Sequence, residues 1–261
     1  MIDRIEAGAR ILAQAWTEGT TVPLLADAVR PSTRAEAYSM QDRMASILGD
    51  RPLGWKLGAA ARAAQIADGH DGPIPGRILA SRTFDSPASA PASLFNRPKA
   101  ECELAFRLTR RFAPQEDPYD AETVAQGLTF LPGIEIGDSR YDLAASARPR
   151  NTYDDIADNG SCGGFVAGPE IADWRAIDFG AIAVDAASDG GAPAPAVAPE
   201  SRRDPFDVAV EMINAIVARG HALEAGEYLT TGSLVAPQDL VKGQRFRAAF
   251  GPYGVVELTL I

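Results

Sequence analysis

The sequence predicts an α+β protein, and three observations carry that prediction. Apolar residues in the first fifty positions recur at helical spacing. From residue 52 onward, short alternating stretches bounded by glycine and proline read as strands. Single helices interrupt those strands without a βαβ rhythm, which argues against a doubly wound sheet. The chain therefore divides into an N-terminal helical segment, residues 1–50, packed on the main body, and a β-rich domain, residues 51–261.

Ile5, Ala9, Leu12, Ala13 and Trp16 form the apolar stripe of a first helix. After Pro31, Thr33 and Glu36 have the spacing of a capping box that opens a second helix, with Ala37, Met40, Met44, Ile47 and Leu48 inward. GWKLG (54–58) reads as a strand, 60–69 as a short helix, and GPIPGRIL (72–79) as a turn entering a strand. Residues 86–98, rich in serine and proline, read as a surface loop. PKAECELAFRL is a strand, 120–130 a helix, and PGIEIGDSR (132–140) a strand that bends into a polar loop ending near Asn159. Residues 161–168 and the run AIDFGAIAVDAAS continue the sheet, and 190–203 is a long hairpin or loop. Asp204-Pro205 caps a helix with Val208, Met212, Ile213, Ile216 and Val217 inward, closed by Gly220. The remaining segments, EYLTTGS and 245–261, alternate as strands.

With 261 residues, 46% hydrophobic and 23% charged, the chain has the composition of a soluble globular protein. Its formal charge of −10 and scattered basic pairs leave no stripe to neutralise a phosphate backbone, which excludes a nucleic-acid partner. No apolar run approaches a membrane span or a secretory leader, so no membrane partner and a cytoplasmic location are expected. Cys102 and Cys162 lack zinc-ligand spacing and read as reduced thiols. An acidic protein that acts on an anion must concentrate positive charge locally, as a bound cation or as a few placed Lys and Arg side chains.

Within PKAECELAFRL, Glu101, Glu103 and Ala105 share one strand face, and Cys102, Leu104, Phe106 and Leu108 share the other. Two carboxylates on one face either meet water or converge on a divalent ion, since Mg²⁺ and Mn²⁺ favour oxygen ligands. Glu135, flanked by Ile134 and Ile136, repeats the pattern of an acid among apolar strand neighbours. Taken alone it reads as exposed. With Glu101 and Glu103 it completes a three-carboxylate set that leaves the other coordination positions to water or substrate.

GWKLGAAARAAQ, PKAECELAF, LPGIEIGDSR, DNGSCGGFVAG and DPFDVAVEMI…GEYLTTGS occur in that order. Together they resemble the 2-keto-4-pentenoate hydratase and 4-oxalocrotonate decarboxylase branch of the fumarylacetoacetate hydrolase superfamily. The resemblance implies a mixed β-sheet roll and a Mg²⁺ or Mn²⁺ ion held by Glu101, Glu103 and Glu135. It also implies a lysine near the substrate at Lys56, pocket-lining residues Asp158, Asn159 and Ser161, and a closing turn of Thr231, Gly232 and Ser233. Without that resemblance, Lys56 reads equally as a surface lysine snorkelling past Trp55. A homo-oligomer is a further implication.

The expected activity is that of a metal-dependent hydro-lyase on a small 2-oxo or 2-hydroxydienoic acid. The alternatives are decarboxylation, C–C hydrolysis of an acylpyruvate, or binding of a 2-oxo acid without turnover. Hydration needs an acid and a base within hydrogen-bond reach. Ile74 stands where the resemblance leads one to expect an acid, leaving His70 and Asp71 just upstream as substitutes.

Overall fold

A computed structural model of the chain describes residues 3–60, 65–66, 70 and 72–261. Asp71 and most of the 60–69 segment expected to be helical lie outside the described residues. Helix α1, Arg4–Glu18, is capped by the Asp3 side chain and ends at Gly19, whose φ of 60° only glycine adopts at low cost. Helix α2, Arg34–Leu48, begins with Thr33 accepting from the Glu36 amide at 3.2 Å. The box is not reciprocal: the Glu36 carboxylate takes the Ser32 amide and hydroxyl and pairs with Arg4, which ties α2 to the start of α1. Ala9, Leu12, Trp16, Met40 and Met44 then pack as one cluster onto Leu79, Tyr141 and Ala157 of the main body.

Two sheets form that body. The larger has eight strands in the order β2 (Ile74–Leu79), β1 (Pro52–Gly58), β9 (Tyr228–Ser233), β5 (Lys99–Leu108), β6 (Leu128–Gly137), β7 (Cys162–Ala167) and β3 (Thr83–Asp85), with β10 (Gln238–Asp239) pairing β5. The smaller runs β4 (Ala88–Ala90), β12 (Val255–Leu260), β11 (Arg245–Ala249) and β8 (Asp185–Ser188). Parallel pairings, β1 with β9 and β3 with β7, make the larger sheet mixed. Helix α5, Pro205–Ala218, covers it with Val208, Met212, Ile213, Ile216 and Val217 in the core. At the centre, Phe106 meets Phe130, Trp174, Phe179 and Phe206 edge-on, with ring centroids 5.1 to 6.5 Å apart.

Four segments differ from expectation. Residues 86–98 are not all surface loop, because Ala88–Ala90 borrows a ladder from the C-terminal β12, and Ala88, Ala90 and Phe95 are buried. Helix α3 spans only Ala121–Ala125; the apolar run that follows is fully buried on both faces and becomes β6. The polar loop before Asn159 contains helix α4, Thr152–Ala157, opened by a true capping box between Asn151 and Asp154. AIDFGAIAVDAAS leaves the large sheet through two short 3-10 turns and supplies β8 to the other one.

Candidate active site

Strands β5 and β6 pair antiparallel with Glu101 opposite Glu135 and Glu103 opposite Gly133, so the three carboxylates share a face. The opposite face, with Cys102, Leu104, Phe106, Ile134 and Ile136, lies in the main core. One oxygen from each of Glu101, Glu103 and Glu135 falls within 4.8 Å of the others. Glu103 and Glu135 are 1% exposed. Burial, followed by the charges of Glu135 and Glu101, pushes the Glu103 carboxyl well above its ordinary range. The Gly232 amide donates to Glu103 at 2.7 Å and the Thr230 hydroxyl to Glu135 at 3.4 Å. Gly232 can aim that amide because its φ is 115°.

Lys56 on β1 is buried, and its Nζ lies 3.1 Å from Glu135 Oε1. That oxygen has no aligned hydrogen-bond donor among the described residues. Burial pulls the Lys56 ammonium down, and the charges of Glu135 and Glu101 outweigh it, so its pKa is raised. Among the described residues Lys56 is the cation paired with this cluster of three carboxylates. Three crowded carboxylates, two of them buried, are an oxygen donor set that suits a hard divalent cation.

Glu101 and Glu103 open on a cavity of about 720 Å³ that Lys56, Ile74, Ser161, Thr231, Gly232 and Ser233 also line. Two residues expected to bind substrate face elsewhere, because both are consumed by the framework. Asp158 is fully buried in an ion pair with Arg140 at 2.5 Å and accepts from Ser139 Oγ at 2.7 Å. Asn159 Oδ1 accepts from the Arg77 amide at 2.7 Å, and Asn159 Nδ2 donates to the Arg77 carbonyl at 2.9 Å. Their effect on the cavity is indirect: they fix the turn, with φ near 60° at Asn159, Gly160 and Ser161, that presents Gly160 and Ser161.

His70 lines the cavity, buried between Asp155 of α4 (Nε2 to Oδ2, 3.6 Å) and Thr152 (Nδ1 to Oγ1, 3.3 Å). The expected Asp71 lies outside the described residues. Asp155 and Arg150, both lining the cavity and paired at 3.0 Å, are not signalled by the sequence. Asp155 is 85 positions from His70, and no local pattern joins them. Ile74 is an apolar wall packed with Ala37 and Ile156.

No protein-family model matches the chain. It is 28% identical over 244 residues to a 2-keto-4-pentenoate hydratase of Burkholderia vietnamiensis, covering 91% of this chain and 90% of that protein. It is 27% identical over 248 residues to a 2-hydroxyhexa-2,4-dienoate hydratase of Comamonas testosteroni, covering 93% and 92%. Among solved structures, a 4-oxalocrotonate decarboxylase from Pseudomonas putida, complexed with magnesium and adipate, superposes with a TM-score of 0.84 at 20% identity over 100% of this chain and 99% of that one. A fumarylpyruvate hydrolase from Pseudomonas aeruginosa with Mn²⁺ and pyruvate gives 0.55 at 15% identity over 81% and 90%.

Proposed function

Since its sequence and fold are those of the hydratase and decarboxylase branch of the fumarylacetoacetate hydrolase superfamily, we propose that this chain is a divalent-metal-dependent hydro-lyase. Its substrate would be a small 2-oxo or 2-hydroxydienoic acid, and its activity that of a 2-keto-4-pentenoate hydratase. The observation that carries the reading is the convergence of Glu101, Glu103 and Glu135 on one another beside the Lys56 ammonium, with Glu101, Glu103 and Lys56 lining the cavity. In this reading the three glutamates hold Mg²⁺ or Mn²⁺. When bound, the cation supplies Lewis-acid polarisation of the 2-oxo group and countercharge for the developing enolate.

The chain's own residues do the rest. Gly232 and Thr230 fix the Glu103 and Glu135 oxygens before any ligand arrives. Lys56 offers a second positive charge to the substrate carboxylate, held in place by Glu135. Ser161, Thr231 and Ser233 are among the other residues that line the cavity. The same reading includes a homo-oligomer and a reducing cytoplasmic compartment, the latter supported by two buried, unbridged cysteines. No helix among the described residues is long and apolar enough to cross a membrane.

The test follows the ultraviolet band of freshly generated 2-hydroxypenta-2,4-dienoate with protein and Mg²⁺ or Mn²⁺. Chelator-sensitive loss of the band with appearance of a 4-hydroxy-2-oxo acid is expected. Decarboxylation is the second reading, favoured by Ile74, which offers no proton at its place in the wall. Release of CO₂ from a 2-oxo dienedioic acid, without consumption of the pentadienoate, would select it. A protein that binds Mn²⁺ and oxalate but turns over neither substrate is a binding protein, and the enzymatic reading is then wrong.

A further inference from the structure

The hydro-lyase reading leaves one chemical role without a residue. Moving a proton at C3 of a 2-oxo acid needs a group that accepts and returns it, and Ile74 has none. Lys56 is engaged by Glu135 at 3.1 Å. Cys102 belongs to the core, and Cys162 is buried, its thiol pushed up to about 12 chiefly by burial.

On the cavity wall formed by α4 and the end of the β1–β2 connection, the chain places an imidazole against a carboxylate. His70 and Asp155 are 6% and 5% exposed at their side chains, 3.6 Å apart, and both line the cavity that Glu101 and Glu103 also line. Asp155 is anchored through Oδ1 by Arg150 at 3.0 Å, while its buried Oδ2, the atom nearest His70, has no hydrogen-bond partner among the described residues. Thr152, one turn earlier on α4, holds the other ring nitrogen at 3.3 Å. We propose that His70 and Asp155 form the acid–base couple of this site, taking over the proton transfer for which Ile74 offers no group.

In this role His70 removes a proton from C3 of the bound 2-oxo acid through Nδ1, which exchanges its 3.3 Å contact with Thr152 Oγ1 for the substrate while Nε2 stays turned to Asp155. The C3–H bond breaks, its electron pair becomes the C2–C3 double bond of the enolate, the carbonyl π pair moves to the C2 oxygen, and the imidazole becomes imidazolium. Asp155 carries the opposite charge, and the reverse step returns the proton to carbon. Burial, opposed by Arg150 and reinforced by Asp158, pushes the Asp155 carboxyl up to about 7, so the couple can hold or release a proton near neutrality. The charged groups facing it are Arg150 before α4, Asp154 on α4, Asp158 just after it, Lys56 on β1, and His70 itself.

The couple rests on the metal-dependent reading, and one experiment separates them. Pyruvate in deuterium oxide, with Mg²⁺ and the full chain, reports enolisation by loss of the methyl proton signal. If the unmodified protein gives no chelator-sensitive exchange, the metal reading fails. If it exchanges, His70→Gln and Asp155→Asn are each expected to slow exchange at least about tenfold, within the range general acid–base groups contribute. Pyruvate displacement from the Mn²⁺-loaded protein should change less than threefold, and Asp155→Asn should flatten the pH profile between 6 and 8. Added imidazole should restore exchange to His70→Ala. Exchange within threefold of the unmodified protein in either substituted form overturns the couple. So does a loss that tracks pyruvate affinity and that imidazole does not repair, which assigns the pair a structural role.

Discussion

Removing one carboxylate from a crowded trio relieves repulsion before it does anything else. Glu103→Gln should therefore raise the melting temperature of the metal-free protein by several degrees, on the order of 1–2 kcal/mol, since Glu103 is buried beside two like charges. The same substitution should abolish the further rise on adding Mn²⁺. A calorimetric scan with and without the ion checks both, and a metal-dependent rise that survives removes Glu103 from the ligand set. Lys56→Met deletes a cation 3.1 Å from Glu135 Oε1, an oxygen of a proposed ligand. It should leave Mn²⁺ affinity equal or tighter and weaken oxalate binding at least about tenfold, the worth of one charge-assisted hydrogen bond; calorimetric titration reads both. At this scale the sequence was partly legible. Alternation exposed Glu101, Glu103 and Glu135 because strand neighbours of a lone acid are apolar whenever one face is core. Asp158 and Asn159 looked equally polar in sequence, but only the fold reveals that Arg140 and the Arg77 backbone have claimed them. The His70–Asp155 contact carries no sequence signal, since neither residue sits in a periodic pattern that implies the other.

Among the elements, β2 and the turn at Asn159–Ser161 meet at a point that tolerates no side chain. A Cβ on Gly76 would stand 2.1 Å from the Asn159 carbonyl oxygen and 3.2 Å from Cys162 Cβ. Gly76→Ala should cost on the order of 2–4 kcal/mol by forcing backbone apart, measurable as a lower urea midpoint. It should also weaken oxalate binding, because the displaced turn carries Gly160 and Ser161. A variant with an unchanged midpoint would mean that the turn shifts freely. Helices α1, α2 and α5 were readable from apolar spacing and caps, which are local. The strand β4 and the departure of β8 to the smaller sheet were not. Each is stabilised by pairing with residues far along the chain, β12 and β11, and three or four residues of alanine and serine have no intrinsic preference strong enough to announce it.

For the whole molecule, the buried Asp155 couples stability to pH. Its carboxyl holds a proton up to about pH 7 when folded, while an unfolded aspartate ionises near 4. Its contribution to stability is therefore complete below about pH 4 and lost as pH rises through about 7. Asp155→Asn lacks that titration. In metal-free protein it should gain on the unmodified chain between pH 4.5 and 8 by on the order of 1–3 kcal/mol. Glu227, also raised by burial to about 7, is present in both and cancels in the difference. Melting temperatures across that range check it, and a flat difference would place the Asp155 titration elsewhere.

Glu101 stands directly across from Glu135 in the central hairpin of the larger sheet, with the aromatic core behind it. A slip of one residue between β5 and β6 would turn Glu135 into that core and leave two carboxylates on the site face. An ion held by all three, as proposed, would thus inspect the pairing it binds to. Only the correctly threaded sheet would bind it, and the cation would act as a proofreader of assembly as well as a reagent.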